Sequence, residues 1–264
     1  MPASSPRVPA PAALWVLFRA AGAGAGGKPS FDPVAVQAAL GDGARVTGAG
    51  GVLSVRLGER ELHVLPVGVP LTKALVGECL AVAHLAPEQK AQLAAHGAHA
   101  LVVHQGDGVP GADGLVALYR TAWALRDDSM LGVMNPVTWM CLTTDMLGET
   151  MKPEFVEAVR ASPAESLALW LGFVKLFRPD GATWAVTRGA WLVGLPDLAW
   201  LAQPDEDLEP VHSMFASILD YASSSGTRLA VGHTIDFSAR PLLIRAPYEY
   251  VDYVGAETLV LEPR

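Results

Sequence analysis

Residues 44–71, "ARVTGAGGVLSVRLGERELHVLPVGVPL", carry the reading on which the fold turns. They contain two strand-like runs. In "VLSVRLG", Val52, Leu53, Val55 and Leu57 lean towards alternation while Ser54 and Arg56 face outward, and "GER" makes a tight turn into "ELHVLPV". Before them, the apolar run Ala12–Phe18 predicts a buried strand. "FDPVAVQAALGDG" predicts a helix with Asp32 as N-cap, Pro33 at its first position and Gly41 as its stop. After them come two helical segments, "TKALVGECLAVAHL" and "APEQKAQLAAHG", the short strand "HALVVHQ", and a helix in "GADGLVALYRTAWALRDDSM" with Asp113 expected as its cap. The order β-α-β-β-α-β points to a ferredoxin-like α/β sandwich followed by an extra helix.

Downstream, "LGVM" is expected as a strand, and Pro136 to Leu147 as a helix capped by Asn135. "SPAE" at Ser162–Glu165 reads as a capping box opening a short helical turn. "RPDG" turns the chain between "LALWLGFVKLF" and "ATWAVTRG", which predicts a strand hairpin. The clearest helix lies in "DLEPVHSMFASILDYASSSG", where Leu208, Val211, Phe215, Ile218, Leu219 and Ala222 form one apolar stripe. "TRLAVGHTIDF", "PLLIRAP" and "ETLVLEP" complete a mainly antiparallel sheet. The expected fold is α+β: a flexible tail at 1–11, an N-terminal α/β half at 12–150, and a C-terminal half at 151–264 in which one long helix packs on that sheet.

A nucleotide-driven enzyme is suggested by "AGAGAGGKPS" at 21–30, where Gly22, Gly27 and Lys28 match most of a phosphate-binding loop. Pro29 stands where the magnesium-holding hydroxyl belongs, and the helix begins only after Asp32, so the stretch reads as a connecting loop. The chain has 264 residues, 51% hydrophobic and 17% charged, and carries a formal net charge of −8. That balance disfavours nucleic acid or an anionic membrane as partner and suits a basic protein. The N-terminal stretch is too weakly apolar for a convincing signal peptide, and Cys79 and Cys141 read as buried thiols, so a cytoplasmic location is expected.

Metal-ligand spacing and cofactor motifs are not found. His96, His99 and His104 crowd one segment, but His96 lies at a helix end and the other two fall on opposite strand faces. A hydrolase reading rests on "VGHTIDF", with His233 as base, Asp236 as its orienting partner and His212 nearby. The alternative for that loop is a turn in which Gly232 supplies an unusual backbone angle. Asp205, Glu206, Asp207 and Glu209 precede and open the clear helix; they read as capping acids or as a partner-binding face, with Trp191 and Trp200 as its candidate aromatics and Trp184 as a third.

The C-terminal residues resemble a bacterial family known as a domain of unknown function. The likeness rests on Thr187, Gly189, Gly194, Pro196, Asp197 and Leu198 in a T-x-G-x-x-x-x-G-x-P-[ED]-[LI] run, on Tyr221 and Gly226, and on Gly232, Thr234 and Ile235 in a G-x-T-I strand. It covers roughly 150 to 260, and more faintly 72 to 128. It implies no reaction, cofactor or catalytic residue. By analogy with proteins encoded beside secreted toxins, it implies a non-catalytic immunity protein. The two alternatives are the His233/Asp236 hydrolase and an accessory or chaperone subunit of a secretion system.

Overall fold

The computed structural model describes residues 12–20, 27–106, 109–237 and 240–264. The expected tail at 1–11 and most of the Gly/Ala loop therefore lie outside the described residues.

The first half runs β1 (Ala13–Phe18), α1 (Pro33–Leu40), β2 (Ala44–Ala49), β3 (Val52–Leu57), β4 (Arg60–Val67), α2 (Lys73–Val82), α3 (Pro87–Ala94), β5 (Ala98–Gln105), α4 (Gly111–Ala124), β6 (Met130–Met134), β7 (Cys141–Thr143) and α5 (Thr144–Thr150). Its seven strands form one sheet in the order β2-β3-β4-β5-β1-β6-β7. The expected hairpin is present, and β2 extends it to a meander of sequential antiparallel pairs.

A ferredoxin-like arrangement is not confirmed. That fold places the first strand between the third and fourth, whereas here β4 pairs directly with β5 and β1 lies on the far side of β5. The connection explains the difference. A single crossover helix would carry the chain to the opposite end of the sheet and make the flanking strands parallel. Two short helices, α2 and α3, return it to the end it left, so Val67 of β4 sits opposite His99 of β5.

The second half runs α6 (Pro153–Ala161), α7 (Pro163–Leu169), β8 (Gly172–Phe177), β9 (Thr183–Arg188), β10 (Leu198–Ala202), α8 (Glu209–Ser225), β11 (Thr234–Phe237), β12 (Arg240–Arg245), α9 (Val251–Val254) and β13 (Leu259–Pro263). Its sheet has the order β11-β12-β13-β10-β9-β8 and is antiparallel except for the pair β10–β13. The long helix α8 buries Val211, Phe215, Ile218, Leu219 and Ala222 as the stripe predicts, with Met214 added.

One continuous core joins the halves. Leu14, Val16 and Val102 of the first sheet, Leu115 and Leu118 of α4, Phe215 and Ile218 of α8, and Leu198 and Ile244 of the second sheet belong to the same buried cluster. At its centre the Tyr119 and Trp170 rings stack at 4.7 Å. The opposite face of the first sheet is closed separately by α2 and α3, through Val76, Cys79, Leu80 and Leu93 against Leu17, Leu131 and Met134. The expected division at residue 150 falls between α5 and α6.

Two local expectations are corrected. Pro136 to Leu147 is not one helix: only its last four residues are helical, at the start of α5. Asn135 does cap, accepting from the Val137 and Thr138 N–H groups, but only a turn follows, because Trp139 takes a left-handed φ of 58°. The chain then pairs Cys141 with Met134 as β7. Nor does Asp113 cap α4. Pro110 occupies that place, and Asp113, inside the first turn, pairs with Arg160 of α6.

The 135–140 loop is a wedge between the sheets. A Cβ on Gly172 would stand 2.0 Å from the Thr138 carbonyl oxygen, and one on Gly189, at φ +87°, would stand 2.5 Å from the Thr138 methyl group. Both positions exclude a side chain. Among the described residues, no helix is long and apolar enough to cross a membrane.

Candidate functional site

The T-x-G-x-x-x-x-G-x-P-D run folds into a knot around one carboxylate. Asp197 accepts from the Ala190 N–H (2.9 Å), the Gly189 N–H (3.2 Å) and the Thr187 hydroxyl (3.2 Å), and Thr187 in turn accepts from the Leu198 N–H (2.8 Å). The residue keeps some exposed surface, but its carboxyl oxygens are enclosed by these donors. Burial pushes the Asp197 carboxyl above its ordinary range, opposed by these donors and by the charge of Arg188. The Arg188 guanidinium lies 4.5 Å from the centre of the Trp139 ring. This knot fixes the turn Ala190–Val193 between β9 and β10, and with it Trp191, which packs partly buried on the core.

Beyond that knot, two turns meet at one end of the second sheet, and a third segment, the connection from β12 to β13, lies across the sheet's face and reaches them. The first is the β8–β9 turn, closed by Arg178 and Ala182, with Asp180 paired to Arg178 at 2.8 Å and Phe177 79% exposed beside it. The second is the acidic turn 203–208, whose Pro204 lies against Gly181 of the first. The third is the 3-10 turn Tyr248–Tyr250 with α9, joined to the first where Arg178 approaches the Tyr253 ring at 5.8 Å.

Within the acidic turn, Glu206 takes the Trp200 indole N–H (3.0 Å) and the Gln203 N–H (2.9 Å), and Asp207 takes the Glu209 N–H (3.0 Å) at the start of α8. These two acids order the turn. Asp205 is different: it is exposed, sits at φ 67° and has no side-chain partner among the described residues. Glu209 is exposed in the first turn of α8, where the helix dipole favours it.

The third segment reads "YEYVDY". Tyr248 is 83% exposed, Val251 and Tyr253 are also exposed, and Glu249 and Asp252 stand between them. Tyr250 turns inward and packs on Trp184 at 4.6 Å. Beside it, a crevice of about 290 Å³ opens where β10 and β13 separate after the pair Trp200–Leu261, lined by Trp184, Trp200, Tyr250 and Glu262 among others. Trp184 is fully buried, and its Nε1 has no partner among the described residues.

Of the expected partner-binding residues, Asp205, Glu206, Asp207, Glu209 and Trp200 therefore share this end of the sheet, while Trp191 is held at the Asp197 knot. The "YEYVDY" aromatics went unremarked in the sequence; three tyrosines interleaved with acids in a strand connection were the available signal. The hydrolase residues do not converge. His233 and Asp236 are both exposed, and among the described residues no hydrogen bond links them. His212 packs edge-on against Phe173 at 5.0 Å. Gly232, at φ +88°, makes the turn that precedes β11, and His233 joins the ladder through its backbone.

The crowded histidines are core groups. The His96 Nε2 accepts from the Leu71 N–H (2.9 Å) and its Nδ1 donates to the Leu93 carbonyl (2.9 Å), which fixes a neutral ring. Burial lowers the proton affinity of His96, His99 and His104. Among the described residues, no three His, Cys, Asp or Glu side chains cluster to hold a metal. No protein-family model, curated protein or solved structure matches this chain.

Proposed function

We propose that this chain is a non-catalytic protein-binding protein of the cytoplasm, and that the acidic, tyrosine-rich face formed by these three segments receives a basic protein partner. An immunity protein that neutralises a secreted basic toxin is the role that reading fits. The observation that carries it is the grouping of exposed Phe177, Tyr248 and Tyr253 with exposed Asp205, Glu249 and Asp252 on three segments held together by the β8–β9 turn. Exposed aromatics supply rigid contact area at small entropic cost, and surrounding carboxylates steer and select a cationic surface.

The test compares capture from the source cell by the wild type and by two variants of equal thermal stability. One carries Glu249→Lys with Asp252→Lys; the other is Tyr248→Ala. The wild type is expected to hold one basic chain in near-equal amount, weakened by added salt, and both variants to lose it. Retention of the same chain by the charge-reversed variant would overturn the proposal.

A further inference from the structure

Apart from the acidic face, a cleft of about 620 Å³ lies between the α1–β2 turn, the β3–β4 turn and α4 of the first half and α6 of the second. Its floor is apolar: Leu40, Leu57, Val116 and Ala117. Three arginines reach it, and they are not equivalent. Arg160 is neutralised by Asp113 (3.1 Å) and Glu157 (2.5 Å). Arg120 is anchored by one N–H group donating to the Leu40 carbonyl (2.8 Å), and no carboxylate pairs with it among the described residues. Arg60, half-buried at the start of β4, has no ion-pair partner among them either. The other acids of the cleft, Asp42 and Glu59, are exposed.

The cleft thus holds two half-buried guanidiniums that no carboxylate pairs with among the described residues, in a chain of net charge −8. Such groups present fixed, planar donor forks in a site partly shielded from water, where an anion is held more strongly than at the open surface. Arg60 also acts inward: after burial, its charge is the next influence holding the His104 ring below its ordinary proton affinity.

We propose that this cleft binds a small organic anion, its phosphate or carboxylate head between Arg60 and Arg120 and its apolar body on Leu57 and Val116. The exposed acids at Asp42 and Glu59 disfavour polyanions and leave a compact, singly headed ligand as the better fit. This site is separate from the acidic face and stands whether or not that face binds a protein.

Isothermal titration calorimetry with phenyl phosphate and with benzoate tests it, and the two probes distinguish the head groups. At least one is expected to bind with a Kd below about 1 mM at physiological salt. Arg60→Gln and Arg120→Gln are each expected to weaken it about tenfold or more. Arg56→Gln, on the same hairpin but paired with Glu61, is expected to leave it unchanged. Arg60 is the first residue of β4, beside the β3–β4 turn, and its side chain makes no hydrogen bond or ion pair among the described residues, so its variant folds even if loss of the Arg120 anchor disturbs α1. Failure of both probes to bind the wild type, or equal binding by Arg60→Gln, would overturn the proposal.

Discussion

Replacing Asp197 by Ala removes the acceptor that three donors share: the Ala190 and Gly189 N–H groups and the Thr187 hydroxyl. A buried donor left without a partner costs about 1–3 kcal/mol, so three set an upper range of about 3–9 kcal/mol. Two effects reduce it. The turn Ala190–Val193 can open to water, and loss of the carboxylate also removes the cost of enclosing its charge. A net loss of about 4 kcal/mol is expected, a shift in Tm of roughly 8–16 °C for a chain of this size. Asp197→Asn keeps the volume and one acceptor oxygen but turns an amide NH₂ towards an N–H, so about half that loss is expected.

The pH dependence gives a sharper check. Burial is the largest influence on this carboxyl and raises its proton affinity in the folded state. The folded protein therefore holds the proton more tightly than the unfolded chain does. The stability this adds is complete below the unfolded value near 3.8 and is lost as the pH rises through the higher folded value. The deficit of Asp197→Asn against the wild type should thus be larger in mild acid than at neutrality. Denaturant titrations followed by tryptophan fluorescence, with Trp191 in the turn concerned, measure both effects. An Asp197→Ala variant within about 1 kcal/mol of the wild type would refute the account of the knot. A deficit that shrinks towards acid would show that the three donors outweigh burial.

Two further outcomes are expected. His96 and His99 are buried and neutral with lowered proton affinities, so their contribution to stability is present above about pH 6.5 and lost as the pH falls through their folded values. His96→Gln and His99→Gln should each flatten the acid limb of a stability–pH profile, and unchanged slopes would contradict that assignment. Burial pushes the Cys79 thiol up to about 11 and the Cys141 thiol up to about 12, so an aromatic disulfide reagent at pH 8 should label neither until denaturant is added; rapid labelling of either in the native protein would contradict their placement.

What could be read in the sequence was what local chemistry decides. Helix α1 follows from Asp32, Pro33 and Gly41, and the structure uses all three, with the Asp32 carboxylate accepting from the Val34 N–H. The stripe of α8 is equally local. Residues 136–143 failed as a helix because their outcome is set from outside: Asn135 caps as expected, but Thr138 is wedged against Gly172 and Gly189 with Trp139 left-handed, and β7 exists only by pairing with β6. Strand β2 escaped notice because an edge strand with one partner buries little, here Ala44 and Val46. The ferredoxin-like order depended on whether α2 and α3 act as one crossover or two, which composition does not reveal. The candidate face was half legible: its acids stand out in the sequence, but nothing in "YEYVDY" says which tyrosines face out.

The acids of that face divide by what they already hold, and the division decides which substitutions can report on binding. Glu206 and Asp207 are committed to the turn and to the start of α8, so changing either would disturb Trp200 and the helix together. Asp205 holds nothing, yet its φ of 67° suits Asp or Asn and penalises lysine. Asp205→Asn therefore removes the charge without straining the backbone, whereas Asp205→Lys would mix two effects. Glu249 and Asp252 carry neither burden: both are exposed, and among the described residues neither has a side-chain partner. Lost binding in Glu249→Lys with Asp252→Lys at unchanged Tm would consequently locate the partner on this face. The same loss in Glu206→Lys would only show that the turn had been broken.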